Sequence, residues 1–191
     1  MMRYRSLSAD KLTPIWVIMI INLLVFIGAL VYGKRLFVFE LNAASFFEQP
    51  WTIITNMFTH YSLWHILANM LTLYFYGSFL CQLIGARKFL IIYFCGGILG
   101  NIFFLVLAPN SSAIGASGAI FALGGALAVL TPKLRVYTFP IPIPMPLWVA
   151  VIGGFIVLTL FPQIAWQAHL GGLVFGLASG FYFRKKQRLF F

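Results

Sequence analysis

The sequence predicts an all-α membrane protein, a bundle of six transmembrane helices with both termini on the cytoplasmic side. Three observations carry that expectation. Of 191 residues, 62% are hydrophobic and 8% charged, whereas a soluble domain has about a quarter of its residues charged. Long stretches free of Asp, Glu, Lys and Arg divide into six spans, at roughly 20 residues per crossing. The basic residues gather on alternate connections between those spans.

The spans follow in order. Pro14–Gly33 is 20 residues without a charge and gives a span at about 14–32, with Trp16 near one interface. Gln49–Ala86 is 38 residues, but Thr52, Thr55, Asn56, Thr59, His60 and Ser62 make its first third polar. One span at about 61–82 remains. Phe89–Pro132, 44 residues, is broken by Ala108-Pro109-Asn110-Ser111-Ser112 into spans at about 89–108 and 116–131. Val136–Phe183, 48 residues, is broken by Phe161-Pro162-Gln163 into spans at about 147–161 and 167–183. The fourth run is short for a crossing. Its start is expected inside the bilayer, with protein or water around it.

The connections show the orientation. With a cytoplasmic N-terminus, that side receives Arg3, Arg5, Lys11, Arg87, Lys88, Lys133, Arg135, Arg184, Lys185, Lys186 and Arg188. Only Lys34 and Arg35 fall outside. Eleven against two is a positive-inside pattern. The net charge of +10 is therefore topological, with anionic membrane lipid as its expected partner and no nucleic acid. A single membrane domain, 14–183, is expected between a cytoplasmic N-terminal tail, 1–13, and a basic tail, 184–191. The first apolar run is too long for a cleavable signal peptide and lacks an Ala-x-Ala site after it. Cys81 and Cys95 fall within spans and read as apolar packing. The outer loop Gly33–Trp51 mixes Lys34, Arg35, Glu40 and Glu48 with Leu36, Phe37, Val38, Phe39, Phe46, Phe47 and Trp51. So many aromatics suggest a loop lying in the membrane interface, or one folded on the protein itself. The link Pro132–Pro146 has proline at 140, 142, 144 and 146. That spacing predicts a stiff extended connector, or a Pro-rich docking segment.

The stretch that organises the chemistry is Ile114-Gly115-Ala116-Ser117-Gly118-Ala119. Small neighbours let the backbone turn sharply and another chain come close. At a helix start the backbone N–H groups are free to receive negative charge, which suits a nucleophile with part of its oxyanion hole. Helix packing alone also uses such sequences. Other groups at the same depth decide between the two readings. Spans two, four and six all begin on the outer side, which places His65, Asn69, Ser117 and His169 in the outer half of the membrane. Polar groups are costly there and mark function. His65 and Asn69, at i and i+4, share a helix face. His169, Gly172, Gly176 and Gly180 make one stripe; Gly118, Ala122 and Ala126 make another. Packed together, two such stripes carry His169 towards Ser117.

What is missing narrows the chemistry. The acids are Asp10, Glu40 and Glu48, none in a span. A paired-aspartate protease is excluded, and a triad has no third member. A Ser–His dyad remains, with Ser117 as nucleophile and His169 as base and later acid. His65 and Asn69 would donate to the oxyanion beside the Ser117 amide. His60 is off the His65 face and is expected to order the loop. Zinc would have to use three histidines without carboxylate or cysteine help at that depth, so no metal or cofactor is expected.

These residues resemble the rhomboid family of intramembrane serine proteases in its six-helix form, over about Trp51 to Gly176. His60-Tyr61-Ser62-Leu63-Trp64-His65-Ile66-Leu67-Ala68-Asn69 is similar to the family's second-helix motif, whose His and Asn help form the oxyanion hole. Gly115-Ala116-Ser117-Gly118 is similar to its nucleophile motif. Ala168-His169-Leu170-Gly171-Gly172-Leu173-Val174-Phe175-Gly176 is similar to the motif bearing the base. The resemblance implies an endopeptidase in the cell membrane (plasma or inner membrane in a prokaryote) that cuts transmembrane segments of other proteins near the outer side. It also implies that Phe121 packs on the base, where the family often has tyrosine. Thr52 follows Trp51 where arginine is common, and Cys81 stands where many members carry glutamate. Two alternatives are a non-catalytic rhomboid-like binder of membrane proteins and a haem- or metal-binding protein using His65 and His169. The intact Ser117 and His169 argue against the first. The fifth helix and the loop Pro162–Gln167 are the candidate gate for substrate.

Overall fold

The apolar runs fold into helices that stop where Gly, Pro and Ser interrupt them. The computed structural model describes residues 9–33, 38–138 and 141–187. Arg3 and Arg5 of the N-terminal tail, Lys34, Arg35, Leu36 and Phe37 of the first loop, Pro140 of the connector and Arg188 lie outside the described residues. In chain order the elements are α1 (Ala9–Tyr32), β1 (Leu41–Asn42), α2 (Thr52–Thr55), α3 (Leu63–Ile84), α4 (Ala86–Leu107), β2 (Ser112–Ala113) and α5 (Ser117–Leu130). They continue with β3 (Arg135–Thr138), β4 (Ile141–Pro146), α6 (Leu147–Thr159) and α7 (Trp166–Gln187). Thr13–Tyr32 within α1, α3 and α4 are each long and apolar enough to cross a membrane; α5 and α6 are shorter apolar helices. The Ser62 hydroxyl caps α3 by accepting from the His65 N–H at 3.2 Å, and Gly85 separates α3 from α4. The last helix runs on through Arg184 and Lys185, so the basic tail begins as helix.

Two ends of the bundle can be told apart by their contacts. The starts of α3, α5 and α7 lie together, as the site described below requires. At the other end Leu147 N–H donates to the Leu134 carbonyl at 2.8 Å, and Lys88 Nζ sits 5.2 Å from the Phe183 ring centre.

Helices α4, α5 and α7 interlock at the centre. A helix apolar all round belongs in a core, and α5 is buried throughout except at Ser117 and Phe121. Its backbone lies against α7 with no side chain between. A Cβ built on Gly172 would overlap the Gly118 carbonyl, one on Gly176 the Ala122 carbonyl, and one on Gly180 would come 2.9 Å from the Ala126 carbonyl. From the other side Gly96 of α4 receives the Ala122 methyl, and Gly100 faces the Ala168 carbonyl. Small residues permit such approaches.

The connections are more ordered than the sequence alone shows. The first loop is folded onto the bundle: Leu41 pairs with Ala113 and Asn42 with Ser112. Leu41 is fully buried in a cluster with Phe104, Ala108 and Ala168, while Phe47 stands 93% exposed. The polar stretch before α3 is no solvent loop. It forms α2 and a 3-10 turn, Asn56–Phe58, and buries Thr52, Asn56 and Met57. The proline connector is half of a hairpin, with β4 antiparallel to β3 (Val136 opposite Met145, Thr138 opposite Ile141). Prolines at alternate positions put every missing N–H on one strand edge. The other edge keeps the donors of Ile141, Ile143 and Met145 for pairing.

The α5–α7 contact is open to a direct test. Gly176→Ala puts a methyl into backbone that cannot yield, and is expected to cost roughly 1–3 kcal/mol, lowering the thermal midpoint in detergent by several degrees. Gly154→Ala on α6, whose Cβ would meet nothing within 4 Å, is expected to hold the midpoint or raise it through helix propensity. Equal midpoints for Gly176→Ala and wild type would mean that the two backbones are not in contact.

Candidate active site

Ser117 opens α5, and the residues before it explain how it is presented. Gly115 has φ +117°, a region that disfavours any side chain. A Cβ there would also lie 2.8 Å from both Cε1 and Nε2 of His65, and 3.8 Å from Ser117 Oγ. The space over Gly115 is therefore bordered by the His65 ring and the serine hydroxyl. The Gly115 N–H donates to the Asn56 carbonyl at 2.8 Å, fixing the turn from below.

Across the α5–α7 contact, His169 Nε2 lies 2.7 Å from Ser117 Oγ. The histidine is 4% exposed. Phe121, one turn along α5, stacks on its ring at 4.6 Å between centroids and 30° between planes. Phe121 is itself braced edge-on by Phe155 of α6 at 6.0 Å. His169 Nδ1 has no hydrogen-bond partner among the described residues. The ring plane is thus held by stacking and by the serine.

On α3, Asn69 is buried and donates one amide N–H to the His65 carbonyl at 2.8 Å. Its second amide hydrogen remains for a ligand. Asn69 and Ser117 line a common cavity of about 630 Å³ that opens between α3 and α6. Ser117, His169 and Asn69 are therefore brought together with His65 beside the loop. His60 lies behind them: it is 3% exposed and meets the His65 ring edge-on at 4.8 Å. Gly118, Gly172 and Gly176 form the backbone contact already described. Among the described residues, no group of three or more His, Cys, Asp or Glu side chains is placed to hold a metal ion.

Sequence reasoning missed one part of this frame. Asn56 and Asn101 form a buried reciprocal amide pair, Asn56 Nδ2 to Asn101 Oδ1 at 3.0 Å and Asn101 Nδ2 to Asn56 Oδ1 at 2.8 Å. Asn101 Nδ2 also donates to the Ile53 carbonyl at 2.7 Å. The pair anchors the residue whose carbonyl holds Gly115. The signal was present: Asn101 is a lone amide in an apolar span, a position that calls for a partner.

Comparison with known proteins now adds to this geometry. The family model for the Rhomboid domain matches residues 48–186. The chain is 33% identical over 151 residues to "Rhomboid protein 1, mitochondrial" of Saccharomyces cerevisiae, covering 72% of this chain and 44% of that one. It is 34% identical over 129 residues to "Rhomboid protease GluP" of Bacillus subtilis, covering 66% and 24%. It is also 30% identical over 128 residues to "Inactive RHOMBOID-like protein 8" of Arabidopsis thaliana, covering 66% and 36%. The chain thus spans less than half the length of these curated relatives. With most of its helical bundle inside the matched domain, the chain belongs to the rhomboid family of integral membrane proteins.

Proposed function

We propose that this protein is an intramembrane serine endopeptidase that cuts transmembrane segments of other membrane proteins. The reading includes six spans with both termini cytoplasmic, a cell-membrane location, and a site in the outer half of the bilayer. One observation carries it: the 2.7 Å contact between Ser117 Oγ and His169 Nε2, a half-buried hydroxyl and a buried imidazole from different helices in a protein rich in apolar surface.

The chemistry follows from these positions. His169 Nε2 takes the Ser117 proton as Oγ attacks the scissile carbonyl carbon. The developing oxyanion is met by the Ser117 N–H at the open start of α5, by the free Asn69 amide hydrogen and by His65. His169 then gives its proton to the departing amine, and water, activated by the same base, releases the acyl group from Ser117. Phe121 keeps the imidazole in plane for both transfers. Ser117 and His169 lie within hydrogen-bonding distance, which favours catalysis over a non-catalytic role.

Purified protein in detergent is expected to label with a fluorophosphonate, and Ser117→Ala and His169→Ala to lose both labelling and cleavage, the latter by about 10⁴-fold or more. A folded wild type that resists labelling by a small probe would favour the non-catalytic reading. Labelling that survives in Ser117→Ala would move the nucleophile elsewhere.

His60, outside the spans, sets an acid limit to the fold around the site. Burial first, and the nearby His65 second, hold its pKa down at about 3 against the ordinary 6.5. Well above 6.5 the group is neutral in folded and unfolded chain alike. Between 6.5 and about 3 the unfolded chain binds a proton that the folded one does not, so stability falls as pH falls. The thermal midpoint is expected to be flat above about pH 7 and to decline below it. His60→Gln should flatten the decline; an unchanged slope would assign the titration to another group.

A further inference from the structure

The cavity beside Ser117 is wide because small residues face one another across it, Ala68 and Thr72 on α3 and Gly153 and Gly154 on α6. A Cβ on either glycine would meet nothing within 4 Å. From Ser117 and Asn69 it runs towards Met145, at the opposite end of the bundle. Asn69, Thr72 and Tyr76 follow one another down the same face of α3, all lining it. Seven residues at 1.5 Å each set Tyr76 about 10 Å below Asn69.

The polar groups of this wall are not equivalent. The Thr72 hydroxyl donates to the Ala68 carbonyl of its own helix at 2.8 Å, and Asn69 is bonded to His65. Tyr76 lies over Gly124 of α5, and its hydroxyl has no hydrogen-bond partner among the described residues. It is not sealed in the core. A tyrosine lining an apolar cavity at membrane depth brings a costly polar group there. Binding cavities of this size characteristically combine apolar walls with a few polar groups that set orientation.

We propose that Tyr76 is a specificity-determining residue. Its hydroxyl hydrogen-bonds a polar side chain in the substrate's transmembrane segment, about two helical turns from the scissile bond on the membrane-embedded side. The inference rests on the protease reading, because continuity with Ser117 is what makes the occupant a substrate segment. The cavity selects apolar residues along most of its length and one polar residue at Tyr76.

The test is a substrate scan. A model membrane substrate with an all-leucine segment receives a single asparagine at each of the fourth to tenth residues inward of the cut. The kcat/KM of each is divided by that of the leucine parent within the same enzyme, so differences in fold or overall rate cancel. Wild type is expected to show a maximum near the seventh residue, about tenfold above its neighbours, and Tyr76→Phe to show a flat profile. A maximum that persists in Tyr76→Phe overturns the proposal alone. So does a flat profile in a wild type that labels with fluorophosphonate and cleaves, which would leave the cavity to lipid. A wild type that neither labels nor cleaves any member of the series overturns the protease reading, and this inference with it.

Discussion

The backbone contact between α5 and α7 is the constraint from which the rest of the site follows. Ser117 is one residue from Gly118, and His169 is one helical turn from Gly172, so the contact that seats Gly172 on the Gly118 carbonyl also sets the distance from serine to histidine. Inside a bilayer apolar surface gives helices no reason to associate, and close packing has to supply it. A side chain at Gly172 or Gly176 would separate the axes, and the hydrogen bond would lengthen with them. The serine–histidine distance and the helix packing are here one property of one stripe of residues.

Much of this arrangement can be read from the chain. Helices α1, α3, α4, α5, α6 and α7 lie on the apolar runs, since a run without charges bounded by Gly or Pro leaves the backbone few alternatives. Facing stripes of small residues also reveal that α5 and α7 can touch. The connections are less legible for a physical reason. Proline at alternate positions dictates an extended strand, but whether that strand finds a partner depends on the four residues Arg135–Thr138, too few to show a pattern. The pairing of Leu41 with Ala113 joins loops about seventy residues apart, and no local signal announces it. Asn56 is similar: among threonines it reads as loop polarity, and only its distant partner Asn101 makes it structural.

In the proposed dyad the base needs a source of orientation other than a carboxylate. In a triad the acid holds the imidazole through its second nitrogen; here His169 Nδ1 has no such partner among the described residues. Phe121 supplies a flat surface instead, and Phe155 supports Phe121 from α6. This device suits its surroundings. A buried carboxylate would be costly to ionise in a low-dielectric interior, whereas a stacked ring adds no charge. It also ties the base to α6, the helix that walls the cavity.

Glycine does opposite things on the two sides of Ser117. In α7 it removes a side chain so that a backbone can fill the space; in α6, Gly153 and Gly154 remove side chains and nothing fills it. The contrast is carried through the packing. Helix α5 is buried along its length, while α6 buries only Leu147 and Val151, both in its first five residues. Stability is unevenly distributed when buried contacts are, so the part of α6 nearest Ser117 is the part least held. The proposed protease needs both conditions. The dyad has to stay within hydrogen-bonding distance while a segment as long as a helix enters beside it, and one uniformly packed bundle could not provide both. Rigid backbone contact on the α7 side and an unfilled face on the α6 side meet those demands with the same residue type, distinguished only by what lies opposite.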